Sequence, residues 1–372
     1  MSIKFEIVKE SKNTKARLGK LYTLHGIIDT PVFMPVGTQA TVKAMLPRDL
    51  EAMGFKIILC NSYHLYLRPG HNLIAQVGGL HKFMNWKGAI LTDSGGFQIF
   101  SLGALNKVSE EGVYFNSHLD GSRHFINAEK AIEIQRSLGS DIAMVFDECT
   151  SYPCGRYQAE MATQRTIQWA KRCKEACQDN RPALFAIIQG STYQDLRIKC
   201  AQELVSLDFS GYAIGGLSVG EPKSLMYEIL DYTISYLPVD KPRYLMGVGA
   251  PQSILEGVVR GIDMFDCVLP TRNGRNGSLF TTSGKLTITN NKYKEDFTPL
   301  DEQCQCYTCL NFTKAYLRHL YMSKEMLGPI LGTIHNLYFM FNLMEKIKLA
   351  LKEDRLLEFK EEFLTNFLKS TE

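Results

Sequence analysis

Two groups of residues have types and spacings suited to chemistry. Asp266 closes the apolar run IDMFD and is followed by CVLPTRNGRNG, so its carboxylate is expected beside a basic loop carrying Arg272 and Arg275. A nucleophilic carboxylate must stay ionised, and a neighbouring cation favours that state. Asp93, in LTDSGGFQ, is the second carboxylate. Displacement at a sugar carbon generally uses two, one attacking and one handling protons, and the Gly95–Gly96 pair permits close approach of a ligand. Asp147 in FDECTSYP and Gln189 in IIQGS add an acceptor and an amide, while Gly215 and Gly216 in GGLSVGE offer unshielded backbone amides. A purine edge with amino and carbonyl groups needs that mixture. Taken singly, each aspartate equally suits a helix N-cap or a turn, and a Gly-Gly pair is commonly an ordinary turn.

The second group is C-x-C-x-x-C at Cys304, Cys306 and Cys309, with His335 downstream. Three thiolates and one imidazole form a tetrahedral donor set suited to Zn2+. Four protein ligands leave no open position, so the ion is expected to be structural.

These residues need elements to place them. Eight short apolar segments recur along the chain, at 32–36, 56–61, 89–93, 142–148, 184–190, 212–217, 243–249 and 262–269. Several are followed by stretches with apolar positions spaced by three and four, among them AEKAIEIQRSLG, AEMATQRTIQWAKRCKEAC, YQDLRIKCAQELVSL and PQSILEGVVRGI. Near-continuous apolar strands alternating with helices imply a parallel sheet covered on both faces. Eight such units suggest a closed (β/α)8 barrel, with a doubly wound open sheet as the alternative. In a barrel, Asp93, Asp147, Gln189, Gly215 and Asp266 all fall at carboxyl ends of strands, on the face that carries chemistry. FEIVKES and KLYTLHGIID read as an N-terminal β-hairpin cap, and SLFTTSGKLTIT as a hairpin leading to the cysteine knot. The whole chain, 1–372, reads as one catalytic domain that includes a zinc-binding subdomain at 280–345 and C-terminal helices at 346–372.

The composition fits a soluble globular protein: 45% hydrophobic and 22% charged residues, with a formal charge of only +3. Nucleic-acid contact would therefore need a local patch. The stretch 272–324, with Arg272, Arg275, Lys285, Lys292, Lys294, Lys314 and Arg318, is the candidate, and a merely solvated basic face is its alternative. No signal-like or membrane-spanning apolar run is seen, which leads to an expectation of a cytoplasmic protein whose scattered cysteines, such as Cys60, Cys200 and Cys267, are reduced.

In order along the chain, LTDSGGFQIFSL, VFDECTSYP, FAIIQGS, YAIGGLSVGEP, YLMGVGAPQSILEGVVRGIDMFDCVLPTRNGRNG and the C-x-C-x-x-C with its later histidine closely resemble the bacterial tRNA-guanine transglycosylase (queuine tRNA-ribosyltransferase) family. The resemblance implies an irregular (β/α)8 TIM barrel with a zinc-bearing insertion. It also implies exchange of the wobble guanine of tRNAs with a GUN anticodon, through a covalent aspartyl intermediate. Asp266 then matches the nucleophile and Asp93 the general acid/base. Asp147, Gln189, Gly216 and the Leu217 carbonyl match the base-recognising positions, Phe97 and Met246 the residues that sandwich the ring, and Arg272 and Arg275 the contacts to the anticodon loop. Cys149 and Val219 match the bacterial pocket, which takes 7-aminomethyl-7-deazaguanine (preQ1) where eukaryotic members take queuine. Glu221 matches the acidic residue that switches the Leu217 peptide. Phe97 is Tyr and Ser218 is Ala in some relatives. The resemblance further implies a homodimer, with Phe83, Phe312, Tyr316 and His319 where the interface aromatics lie.

A hydrolytic glycosidase on the same barrel and a noncatalytic tRNA-binding subunit are the competing readings. The second has no need of Asp93 and Asp266 together, and the first has no evident need of a metal knot beside an Arg-bearing segment.

Overall fold

The computed structural model describes residues 3–102, 107–179 and 181–368. Its centre is a parallel sheet that closes on itself. We label the barrel strands β1 (Val32–Met34, continued by Val36–Gly37), β2 (Ile57–Cys60), β3 (Ala89–Thr92), β4 (Ile142–Met144), β5 (Ala183–Ile188), β6 (Gly211–Ile214), β7 (Arg243–Leu245) and β8 (Met264–Asp266). Closure occurs in β1. Val32–Met34 pairs with β8, Val36–Gly37 pairs with β2, and both ladders are parallel. Pro35 lies at the switch and has no N–H to give to a ladder, but its carbonyl accepts from the Leu59 N–H at 3.0 Å. Residues of β2 to β7 are buried throughout, which explains why they read as unbroken apolar runs instead of alternating ones.

Helices cover the outside. Ala128–Leu138 begins at Asn127, whose side chain accepts from the Lys130 N–H, and ends at Gly139 in the left-handed region with φ 71°. Arg156–Ala176, Gln194–Ser206, Lys223–Thr233 and Pro251–Val259 follow β4, β5, β6 and β7 in turn. A three-stranded antiparallel sheet (Lys107–Val108, Val113–Asn116, Arg123–Ile126) intervenes between β3 and β4; the apolar rhythm of the sequence did not announce it. The N-terminal cap has three strands where a hairpin was expected, because KLYTLHGIID folds back at Leu24–His25 and so supplies both Arg17–Thr23 and Gly26–Thr30 beside Lys4–Glu10.

The segment after β8 determines how the Cys3His cluster meets the barrel. The helix Leu269–Arg275, with Pro270 in its first turn, lies against the long helix Leu327–Lys352. Contact is close enough that a Cβ on Gly274 would stand 2.9 Å from the Gly332 carbonyl oxygen. Asn336, fully buried, donates to the carbonyls of Pro270 and Ser278 at 3.0 Å each and accepts from the Phe280 N–H at 3.0 Å. Thus the hairpin Ser278–Thr281/Gly284–Thr287 is clamped to the long helix beside His335. Among the described residues, no helix is long and apolar enough to cross a membrane.

Candidate active site and metal centre

The carboxyl ends of the barrel strands open into a cavity of about 690 Å3. Asp93, Asp147, Gln189, Gly216, Leu217, Met246 and Asp266 all line it, together with Phe97, Cys149, Val219, Arg272 and Arg275. Asp93 follows β3 and Asp266 ends β8, so these two carboxylates share a cavity only because the barrel closes.

Asp93 is 6% exposed and accepts three hydrogen bonds: from Asn61 Nδ2 at 2.5 Å, Gln98 Nε2 at 2.9 Å and the Ser62 N–H at 2.8 Å. Burial is the largest influence on it and outweighs those bonds; with the nearby Asp266 charge, it lifts the carboxyl to about 6. A group poised there can both take and give a proton near neutral pH. Asp266 is half-buried, and its Oδ1 accepts from the Tyr244 hydroxyl at 2.5 Å and the Gly247 N–H at 2.8 Å. Burial raises its pKa, and these two donors oppose the rise. Neutral donors thus stand where a cation was expected: among the described residues no Lys or Arg forms an ion pair with Asp266, although Arg272 and Arg275 line the same cavity.

Asp147 and Gln189 form one unit. Asp147 accepts from Ser94 Oγ and from Gln189 Nε2, each at 2.8 Å, and burial raises its pKa against those bonds. The glycines around them are required by space. A Cβ on Gly96 would lie 2.5 Å from the Asp147 carbonyl oxygen, and one on Gly216, where φ is +64°, would lie 2.4 Å from Gln189 Oε1. Glu221 accepts from the Ser218 and Val219 N–H groups, so the Leu217 carbonyl, across a trans peptide from the Ser218 N–H, points away from it. Phe97 is 52% exposed and Met246 half-buried. Cys149 is half-buried, and burial pushes its thiol up to about 12, which makes it a neutral pocket wall and not a nucleophile.

Sequence reasoning missed Asn61, Gln98, Tyr244 and Arg197. Each acts through a hydrogen bond to a group remote in the chain or, for Gln98, across the Gly95–Gly96 turn, and such pairings leave no local pattern. Arg272 and Arg275 were expected on a loop; they lie on the helix Leu269–Arg275, which the contact with Leu327–Lys352 stabilises despite its Asn-Gly content. Of the other basic residues, Lys314 is paired with Asp296 at 3.2 Å and Arg318 donates to the Asn290 carbonyl at 3.1 Å.

The four metal-ligand candidates converge. His335 Nδ1 lies 3.8, 3.4 and 3.3 Å from the sulfurs of Cys304, Cys306 and Cys309, and all four residues are buried. Bond lengths of about 2.3 Å to sulfur and about 2.0 Å to nitrogen in a tetrahedral zinc site require S···N separations of roughly 3.5 Å, so the donor set fits such an ion. His335 Nε2 faces the Phe280 carbonyl at 2.5 Å, which fixes the ring with Nδ1 toward the sulfurs.

The same cavity and cysteine cluster belong to a chain with many known relatives. The family model for queuine tRNA-ribosyltransferase matches residues 11–369. The chain belongs to the queuine tRNA-ribosyltransferase family. A protein of that name from Caldanaerobacter subterraneus subsp. tengcongensis is 63% identical over 372 residues, covering 100% of this chain and 99% of the relative. Its namesakes from Thermoanaerobacter pseudethanolicus and Macrococcus caseolyticus are 60% and 58% identical, each over 98% of this chain. The mouth cavity and the buried Cys3His cluster are therefore features of a queuine tRNA-ribosyltransferase family member matched along nearly its whole length.

Proposed function

We propose that this chain exchanges the wobble-position guanine of tRNAs with a GUN anticodon for 7-aminomethyl-7-deazaguanine, through a covalent aspartyl–ribose intermediate. The observation that carries the reading is the pair Asp93 and Asp266 on one cavity, each held by its own set of neutral donors. Asp266 attacks the anomeric carbon, and the guanine leaves with the bonding electrons. Asp93 handles the proton of the departing and incoming bases. Asp147 accepts from the amino edge of the base, Gln189 and the Gly216 N–H serve its carbonyl edge, and Phe97 and Met246 cover its faces. The Leu217 carbonyl, turned away from Glu221, suits an aminomethyl donor, and Cys149 and Val219 leave room for that substituent.

Arg272 and Arg275 grip the anticodon loop. In support, both side chains line the cavity that holds Asp93 and Asp266. The Cys304, Cys306, Cys309 and His335 site holds structural Zn2+, which braces the hairpin that follows the Arg-bearing helix. The chain acts as one catalytic domain, 1–372, in the cytoplasm, and pairs with a second copy. For that pairing, Phe312 and Tyr316 are stacked with centroids 5.5 Å apart next to His319, and Phe83 is 40% exposed.

Incubation with tRNA and labelled guanine tests the function. Label entering tRNA without free abasic tRNA supports exchange; abasic tRNA without incorporation indicates a hydrolase; neither indicates a binding subunit. Metal analysis of the purified chain tests the ion, with one zinc per chain expected and its loss expected in Cys309→Ser.

A further inference from the structure

Arg197, on the helix Gln194–Ser206, is fully buried beneath the cavity floor. Its guanidinium donates to four carbonyl oxygens: Nη1 to Gly215 at 2.7 Å and Ile188 at 3.0 Å, Nε to Ser191 at 2.8 Å, and Nη2 to Gly216 at 3.4 Å. No carboxylate forms an ion pair with it among the described residues. A buried cation without a counter-ion carries a large desolvation cost, so packing alone is a poor reason for its charge. The Gly215–Gly216 peptide is trans, so anchoring the Gly215 carbonyl to Arg197 turns the Gly216 N–H to the opposite side. On that side lies Cys149, which the Gly216 N–H faces, and both residues line the cavity.

We propose that Arg197 is a positioning residue for base departure: its charge, acting through the Gly215–Gly216 peptide, aims and polarises the Gly216 N–H toward the carbonyl oxygen of the bound purine. This rests on the exchange reading above. As the bond from Asp266 to the sugar carbon forms, the bond from that carbon to the purine nitrogen breaks and its electron pair goes to the purine. Part of that charge reaches the 6-carbonyl oxygen, where the Gly216 N–H meets it, until Asp93 supplies the proton that makes the base neutral. A hydrogen bond whose donor peptide is itself bound to a cation is strengthened by that polarisation, and charge stabilisation of this kind acts on the transition state.

The test compares Arg197→Met and Arg197→Lys with the unaltered protein in two measurements. The first is labelled-guanine exchange, in which R197M is expected to lose about 10- to 100-fold in kcat with the tRNA KM within about threefold. The second is equilibrium dialysis of the free protein with guanine and with 2,6-diaminopurine, which has an amino group in place of the 6-carbonyl. The proposal expects guanine binding to weaken about tenfold while diaminopurine binding changes little, with R197K intermediate. Equal weakening of both bases, or no change in either, would overturn it. If R197M does not fold, the ratio in R197K decides: an unchanged ratio overturns the proposal. Failure of the unaltered protein to exchange guanine would instead refute the exchange reading, and the dialysis ratio would still report on Arg197.

Discussion

The two ends of β8 carry the same residue type in opposite circumstances. Asp263, just before the strand, is fully buried on the barrel floor and accepts from Arg17 Nε at 2.9 Å, Arg17 Nη2 at 2.6 Å and the Arg243 N–H at 2.7 Å. Asp266, at the other end, has only the neutral donors Tyr244 and Gly247 and faces the cavity. The contrast extends to other strands. On the floor, burial pushes Asp141 up, but hydrogen bonds from His81, His25 and the Ile90 N–H outweigh it and its pKa is lowered. At the mouth, Asp93, Asp147 and Asp266 are all raised. Floor carboxylates with side-chain partners in the N-terminal cap hold that cap to the barrel; mouth carboxylates without such partners are available for chemistry.

The largest expected effect separates the two ends directly. Asp266→Asn is expected to reduce exchange by at least about a thousandfold while leaving the urea midpoint nearly unchanged and tRNA affinity largely intact. Arg17→Met should do the reverse. Breaking its buried pair with Asp263 is expected to remove about 3–5 kcal/mol of stability by urea unfolding, with near-normal turnover per folded molecule. A stable R17M, or a D266N that unfolds, would dissolve the distinction.

Opposite pH signs sharpen it. Asp93 holds its proton more tightly in the folded chain than in the unfolded one, so it favours folding below its ordinary 3.8 and loses that contribution as pH rises through about 6. Asp93→Asn should therefore flatten the fall in stability between these values, by about 1–3 kcal/mol, in unfolding measured across pH. Asp141 has the opposite sign: its contribution is present at neutral pH and lost as pH falls through its depressed native value. Asp141→Asn is expected to destabilise the protein at pH 7 by about 1–3 kcal/mol and to matter less in acid. The smallest effect is expected from His25→Ala, whose ring is partly exposed where it meets Asp141 at 2.8 Å. Its loss should cost about 1 kcal/mol or less, read from the same curves.

Much of this arrangement was legible in the sequence. The eight apolar segments correspond to the eight barrel strands because strands covered on both faces must be apolar at every position. The polar residues that terminate them reach one cavity because parallel strands share a carboxyl end. The supporting contacts were not legible. Asn61 beside Asp93, and Tyr244 beside Asp266, depend on which strands become neighbours, and Arg197 reads as an ordinary polar position of a surface helix until its four carbonyl partners are seen. The helix carrying Arg272 and Arg275 has a turn-like sequence, and its packing on Leu327–Lys352 is a long-range contact that the local sequence does not display.

The most direct test is to trap the chain with tRNA under denaturing conditions, digest the adduct and map the modified side chain. Ribose attached to the peptide containing Asp266, and absent from D266N, is the expected result. Attachment at Asp93 or any other residue, or guanine exchange without an adduct, would contradict the assignment of Asp266 as the attacking group.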